Sequence, residues 1–114
     1  MIKVKWDVEE LVALCDICRT RFNKTPKEID DELIVLSKTL ILRANQLGIV
    51  HDERFRNVNG MRLMYQNMLY VATNGEQGLS STSANMRKVY QLSQEMPDVF
   101  DTILEEFNRK YREK

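Results

Sequence analysis

Residues 25–48 read TPKEIDDELIVLSKTLILRANQLG, and both ends of this stretch have the residues that begin and end an α-helix. Thr25 is a typical N-cap residue, Pro26 suits the first helical position, and Glu28 completes a capping box. Gly48 is typical of the position that follows a helix. The Leu-Ile-Val-Leu run inside the stretch could by itself form a short β-strand. The cap, the length and the terminating glycine all favour a helix, so the sequence predicts an all-α fold.

Helical periodicity continues on both sides of this stretch. Before it, Asp7 and Glu10 form a second capping box, and the apolar stripe that follows predicts a helix ending near Phe22–Asn23. After it, polar loops at 48–59 and 73–83 separate further apolar stripes. We predict about five helices, of which the first three form a helix-turn-helix-like core and two are added at the C-terminus, over about 8–22, 26–47, 59–71, 84–95 and 97–111.

The composition is that of one small domain. The chain has 114 residues, of which 43% are hydrophobic, enough for one modest core. It has 17 basic and 17 acidic residues, so its net charge indicates no partner, and a nucleic-acid site requires local segregation of charge. No apolar run approaches the ~18 residues of a membrane span. We expect a single helical domain over residues 1–114, with a core that contains Trp6, Leu11, Leu14, Leu36, Leu40, Met64, Leu69, Phe100 and Leu104.

The N-terminus and the cysteines predict a cytoplasmic protein without metal or cofactor. Residues 1–6 contain no apolar signal-peptide region. Cys15 and Cys18 lie three residues apart in an apolar stretch, so we expect two small buried side chains. A zinc site needs further ligands, and His51 is the only histidine. A thioredoxin-like redox pair needs a βαβ unit, which is not predicted, so we expect reduced thiols.

The sequence contains none of the common catalytic motifs. It has no GxSxG, HExxH, P-loop or GxGxxG pattern. His51, the one candidate base, stands in a charged loop and is expected to be solvated. The acidic run 30–32 lies near a helix start, where it complements the helix dipole. We therefore predict that the chain is not an enzyme, with no catalytic residues and no small-molecule substrate.

Basic residues are concentrated in the middle of this neutral chain. Residues 38–66 contain five basic side chains against two acidic ones. Arginine and asparagine at a helix N-terminus suit phosphate contacts and base readout. The same residues have an alternative interpretation, in which Arg56 and Asn57 cap the helix and pair with acids of the first helix. The predicted nucleic-acid-binding residues are Lys38, Arg43, Arg54, Arg56, Asn57, Asn59, Arg62 and Gln66.

The same part of the chain resembles a known family. Residues 56–60 read Arg-Asn-Val-Asn-Gly at a predicted helix start, and residues 36–40 read Leu-Ser-Lys-Thr-Leu, with Arg43 displaced by an insertion. Together with Trp6, this pattern resembles the N-terminal helical domain that precedes HNH-type endonuclease or helicase modules in bacterial restriction and defence proteins. The similarity covers roughly residues 6–78. It implies a DNA-associated accessory domain that begins a longer protein, and it transfers no nuclease site, because no HNH or helicase motif is present.

The sequence leaves three functions open. The first is a DNA-binding recognition module that positions a nuclease or helicase region. The second is a protein–protein interaction or dimerisation domain, with a face made of the methionines of the third helix or of Phe100, Phe107 and Tyr111. The third, a zinc or redox role for the two cysteines, has the least support. The expected partners are DNA, or else a protein partner or a second copy of the chain, and no membrane.

Overall fold

The computed structural model describes residues 3–112, and within them it confirms the predicted all-α class and the count of about five helices. Residues 1–2 and 113–114 of the predicted domain lie outside the described residues. None of the described helices is long and apolar enough to cross a membrane. The helices are α1 Val8–Arg19, α2 Pro26–Gln46, α3 Val58–Ala72, α4 Ala84–Glu95 and α5 Pro97–Tyr111, with a short 3-10 helix at Arg21–Asn23.

The centre of the fold is α1. Residues 11–15 of this helix are all buried, and a helix that is apolar on every side is one enclosed by others. The other four helices all pack against α1. Phe100 and Phe107 of α5 are fully buried in the same cluster. The two C-terminal helices therefore belong to one continuous core with the first three.

The predicted N-cap residues are observed at the starts of the helices. Both capping boxes are present, at the start of α1 and at the start of α2. The Oδ1 atom of Asn57 accepts a hydrogen bond from the backbone N–H of Gly60 at 2.8 Å, so α3 begins at Val58, slightly earlier than predicted. The predicted bounds of α4 and α5 are confirmed.

The end of α1 differs from the prediction. The helix ends at Arg19 and not near Phe22–Asn23. The Arg21 guanidinium donates a hydrogen bond to the carbonyl oxygen of Cys18 at 2.8 Å, which satisfies a carbonyl of the last turn and lets the chain tighten into the 3-10 helix. As a result, the Phe22 side chain is 80% exposed and does not join the predicted apolar stripe.

Most of the predicted core is confirmed. Seven of the nine residues predicted for it are buried, and the remaining two, Trp6 and Met64, are partly buried against it. Leu47, the last residue of the predicted second helix, is exposed, because α2 ends at Gln46 and the chain then turns through Gly48, which has a φ of 70°. Tyr65 of α3 is also buried in the core.

The loop between α3 and α4 returns to touch α3. The backbone N–H of Leu79 donates a hydrogen bond to the carbonyl oxygen of Gln66 at 3.1 Å. Gly78 adopts a φ of 85°, and a Cβ atom on it would lie 2.1 Å from that oxygen and 2.9 Å from the backbone nitrogen of Tyr70. Only glycine satisfies both the left-handed backbone and this close approach.

Candidate nucleic-acid interface

Arg56, the middle arginine of the predicted patch, is buried and bound to protein groups. Its Nε and Nη2 atoms donate to the two carboxylate oxygens of Glu10 at 2.7 and 3.0 Å. Its Nη1 and Nη2 atoms also donate to the carbonyl oxygens of Val4 and Lys5, both at 3.1 Å. Four of the five N–H donors of a guanidinium are thereby engaged. The Arg56 guanidinium therefore has no free pair of N–H donors to offer to a phosphate group.

The surroundings of Arg56 explain why it stays in place. The guanidinium lies between two aromatic rings, 4.5 Å from the ring centre of Trp6 and 4.4 Å from that of Phe55. Its backbone has a φ of 48°, and its carbonyl oxygen accepts a hydrogen bond from the Ser37 hydroxyl at 2.6 Å. With Asn57 as the α3 cap, these contacts confirm the alternative interpretation, in which the two residues pair with an acid of the first helix and cap the third.

Arg43 is a second predicted cation that the fold encloses. Its side chain is 7% exposed, and its Nη2 atom lies 2.8 Å from a carboxylate oxygen of Asp7 and 3.7 Å from one of Glu9. The guanidinium also lies 5.7 Å above the ring of Tyr111. Arg43 therefore links α2 to the start of α1 and to the end of α5, and its charge is balanced by these carboxylates.

Arg62 lies at the surface but has an acidic partner. Its Nε and Nη2 atoms donate to both carboxylate oxygens of Asp30 at 2.7 and 2.9 Å, and its Nη1 atom donates to Asn59 Oδ1 at 3.2 Å. The bidentate pair links α3 to the first turns of α2. The Gln66 side chain is half-buried, and its backbone carbonyl oxygen holds the loop after α3.

Two predicted cations, Lys38 and Arg54, remain exposed, and neither is paired with a carboxylate among residues 3–112. Arg54 shares a shallow surface cavity of about 360 Å³ with Lys3 and Lys5, both exposed. Asp52 also lines this cavity, and its side chain accepts a hydrogen bond from the Arg54 backbone N–H. The structure thus brings together one predicted residue and two that the sequence analysis missed. Their only signal in the sequence is the alternation Lys-Val-Lys before the first helix.

The acidic residues are placed unevenly along the chain. Residues 54–94 contain five basic side chains and a single acidic one, Glu76. Several acids of α2 and α5 have basic partners, as in the pairs Lys24–Glu32 and Arg109–Glu106. Cations without an acidic ion-pair partner among the described residues are therefore found before α1, at Arg54 and on α4.

The methionine and aromatic faces proposed for protein binding are part of the core. Met61 and Met68 of α3 are fully buried, as are Phe100 and Phe107, and Tyr111 is half-buried. This corrects the predicted location of a partner surface. Apolar surface is open elsewhere, for example in a groove of about 580 Å³ between α2 and α3, where Leu63 is 57% exposed.

The cysteines and the histidine have separate environments. Cys15 and Cys18 are free thiols in the core, which confirms their predicted burial. His51 is half-buried, not fully solvated as expected, because its ring stacks on Phe55 with centres 4.6 Å apart and its Nε2 lies 2.8 Å from Asn45 Oδ1. Among residues 3–112, no three histidine, cysteine or acidic side chains are grouped so as to hold a metal ion.

The core thiols are expected to be unreactive in the folded protein. Burial raises the pKa of the Cys15 thiol from its ordinary value of 9.0 to about 12. The thiolate fraction at pH 8 is then about a thousandfold smaller than that of an ordinary thiol, so a thiol reagent should label neither cysteine until urea unfolds the chain. Because the unfolded thiol ionises more easily, the same shift should lower stability between pH 9.0 and about 12. Rapid labelling of the native protein would contradict this.

Comparison of this chain with models of protein families, with curated proteins and with solved structures gives no match.

Proposed function

We propose that this chain is a nucleic-acid-associated recognition module that holds the phosphate backbone with exposed cations and catalyses no reaction. The supporting observation is the shared cavity of Lys3, Lys5 and Arg54, three exposed cations without an acidic ion-pair partner among the described residues. The resemblance of residues 56–60 to the accessory domain of restriction and defence proteins agrees with this class of function. Arg43 and Arg56 are left out of the contact set, because carboxylates already balance their charges.

The proposed contact is weak and dominated by charge. Each phosphate neutralised on duplex DNA adds roughly 0.9 to the slope of log affinity against log salt, so three contacts give a slope of about −2.7. Asp52 lines the same cavity and reduces its positive potential. Affinity is therefore expected in the range of non-specific binding, about 10⁻⁴–10⁻⁶ M.

The test is the triple variant Lys3→Gln, Lys5→Gln and Arg54→Gln. These side chains are exposed, so their loss should leave the fold intact while the salt slope flattens by about 2–3 units. Binding to a labelled duplex is measured by fluorescence anisotropy from about 25 to 200 mM salt, a range over which such contacts change affinity strongly. Thermal unfolding of both proteins checks that the variant is folded.

A matched control removes the same charge elsewhere. The triple variant Lys27→Gln, Arg109→Gln and Lys110→Gln lowers the net charge equally, at positions that do not line the cavity. It should keep the wild-type slope. Equal weakening in both triple variants would reject the cavity as the contact. If the wild type does not bind at about 50 mM salt, even at protein concentrations of about 10⁻⁴ M, the proposed function is rejected.

The groove between α2 and α3 favours a second candidate function, binding of a protein partner. Its lining is mostly apolar and includes Leu63, and the one ion pair at it, Asp30–Arg62, is internally neutral. Association at such a groove relies on burial of apolar surface, so its affinity should change little with salt. The salt dependence of a binding event thus distinguishes the two candidates.

A further inference from the structure

Another surface cavity lies at the opposite end of α3 from Arg54. It has a volume of about 320 Å³ and is formed by the last turn of α3, the turn that follows it and the first turn of α4. Three of its lining side chains have hydrogen-bond donors: the Tyr70 phenol, the Asn74 amide and the Arg87 guanidinium. No carboxylate of residues 3–112 lines this cavity.

Arg87 is held in place by a neutral group. Its Nε and Nη2 atoms both donate to the Thr82 hydroxyl oxygen, at 3.0 and 2.6 Å. No carboxylate pairs with this guanidinium within residues 3–112, so its positive charge is not balanced. Two contacts use two of its five N–H donors and leave the rest for a ligand. Arg87 therefore differs from Arg43, Arg56 and Arg62, which are all paired with acids.

The turn after α3 brings the other two donors to the same place. Asn74 and Gly75 both have left-handed backbones, with φ values of 55° and 86°. The Gly75 N–H donates to the Tyr70 carbonyl oxygen at 2.8 Å and closes the turn against the helix. A Cβ atom on Gly75 would lie 3.3 Å from the Tyr70 ring, so glycine keeps this packing close. Neither the Tyr70 hydroxyl nor the Asn74 amide has a hydrogen-bond partner among the described residues.

We propose that the cavity formed by Tyr70, Asn74 and Arg87 binds a phosphate group. A phosphate accepts hydrogen bonds through all its oxygens, and a guanidinium with an amide and a phenol supplies donors of matching kind. Lys88 is exposed beside Arg87, and Glu76 is the one acidic residue between positions 54 and 94. For the phosphate of a nucleic-acid backbone, this inference rests on the proposed function. The phosphate of a free nucleotide has the same chemistry.

The test is a titration of the ¹⁵N-labelled chain followed by NMR at constant ionic strength. Inorganic phosphate, a mononucleotide and a short DNA duplex are each added to the wild type and to Arg87→Gln. The backbone amides of Asn74, Gly75 and Arg87 should shift with phosphate in the wild type. Loss of a charged hydrogen-bond donor should weaken phosphate binding roughly 10- to 100-fold in the variant. Arg87→Lys keeps the charge but loses the two hydrogen bonds to Thr82, so its phosphate affinity should lie between those of the wild type and Arg87→Gln. Glu76→Gln should bind phosphate more tightly than the wild type.

The outcomes of this titration distinguish the phosphate cavity from the proposed nucleic-acid function. Duplex binding that is equal in wild type and Arg87→Gln, with no phosphate response at these amides, overturns the cavity and leaves the proposed function standing. A response to phosphate and mononucleotide without any duplex binding supports the cavity, assigns its ligand to a free nucleotide, and overturns the proposed function. A response of these amides to the duplex that is lost in Arg87→Gln supports both proposals. No response to any of the three ligands overturns the cavity site.

Discussion

Arg56→Ala is expected to lower the free energy of unfolding by about 3–5 kcal/mol, because it leaves the Glu10 carboxylate buried without its partner. The substitution also frees the carbonyl oxygens of Val4 and Lys5 and removes the cation between two aromatic rings. A domain of this size is stable by about 5–15 kcal/mol in total, so the loss is a large share. Urea unfolding followed by circular dichroism measures it.

Two further variants test the physical cause. Arg54→Ala removes a cation only two positions away, and because that side chain is exposed the cost should stay within about 0.5 kcal/mol. Replacing Glu10 by alanine together with Arg56 should cost less than the sum of the single changes, because no buried charge remains unpaired. A cost below about 1 kcal/mol for Arg56→Ala would mean that the ion pair does not hold the fold.

Gly78→Ala is expected to cost about 2–5 kcal/mol. The left-handed backbone accounts for about 1–2 kcal/mol of this cost, and the collision of the new Cβ with the Gln66 carbonyl oxygen accounts for about 1–3 kcal/mol more. The loop is forced away from α3, so the Leu79 amide should also lose its protection from hydrogen exchange.

Gly48→Ala is the matched control for this substitution. Gly48 has a similar φ of 70°, but nothing lies within 4 Å of the position that a Cβ atom would take there. It should therefore cost only the backbone part, about 1–2 kcal/mol. Equal costs at the two positions would show that the contact of the loop with α3 adds nothing.

The parts of the fold that were predicted correctly depend on neighbours in sequence. The start of α2 follows from Thr25, Pro26 and Glu28, which lie within one helical turn. Its end and the turn after it are marked by Gly48 in the same local way. Periodicity likewise identified most core residues, because a helix buries the same face wherever it packs. The end of α1 was missed, because it depends on one hydrogen bond from Arg21 that no spacing rule anticipates.

The candidate site was harder to predict, because charges are cancelled by residues distant in sequence. Glu10 neutralises Arg56 from 46 positions away, and Asp30 neutralises Arg62 from 32 positions away. A count of charges within 38–66 cannot include these partners. It overestimates the positive charge at the surface, and it omits Lys3 and Lys5, which the fold places beside Arg54.

The central position of α1 has a consequence for biosynthesis. This helix precedes the other four in the chain, yet some of its contacts are with α5, the last of the five described helices. The nascent chain consequently exposes apolar surface of α1 until almost the whole domain has left the ribosome. Transiently exposed apolar surface makes a nascent chain prone to aggregate or to recruit chaperones. A chain that ends before residue 97 would lack the contacts between α5 and its first helix.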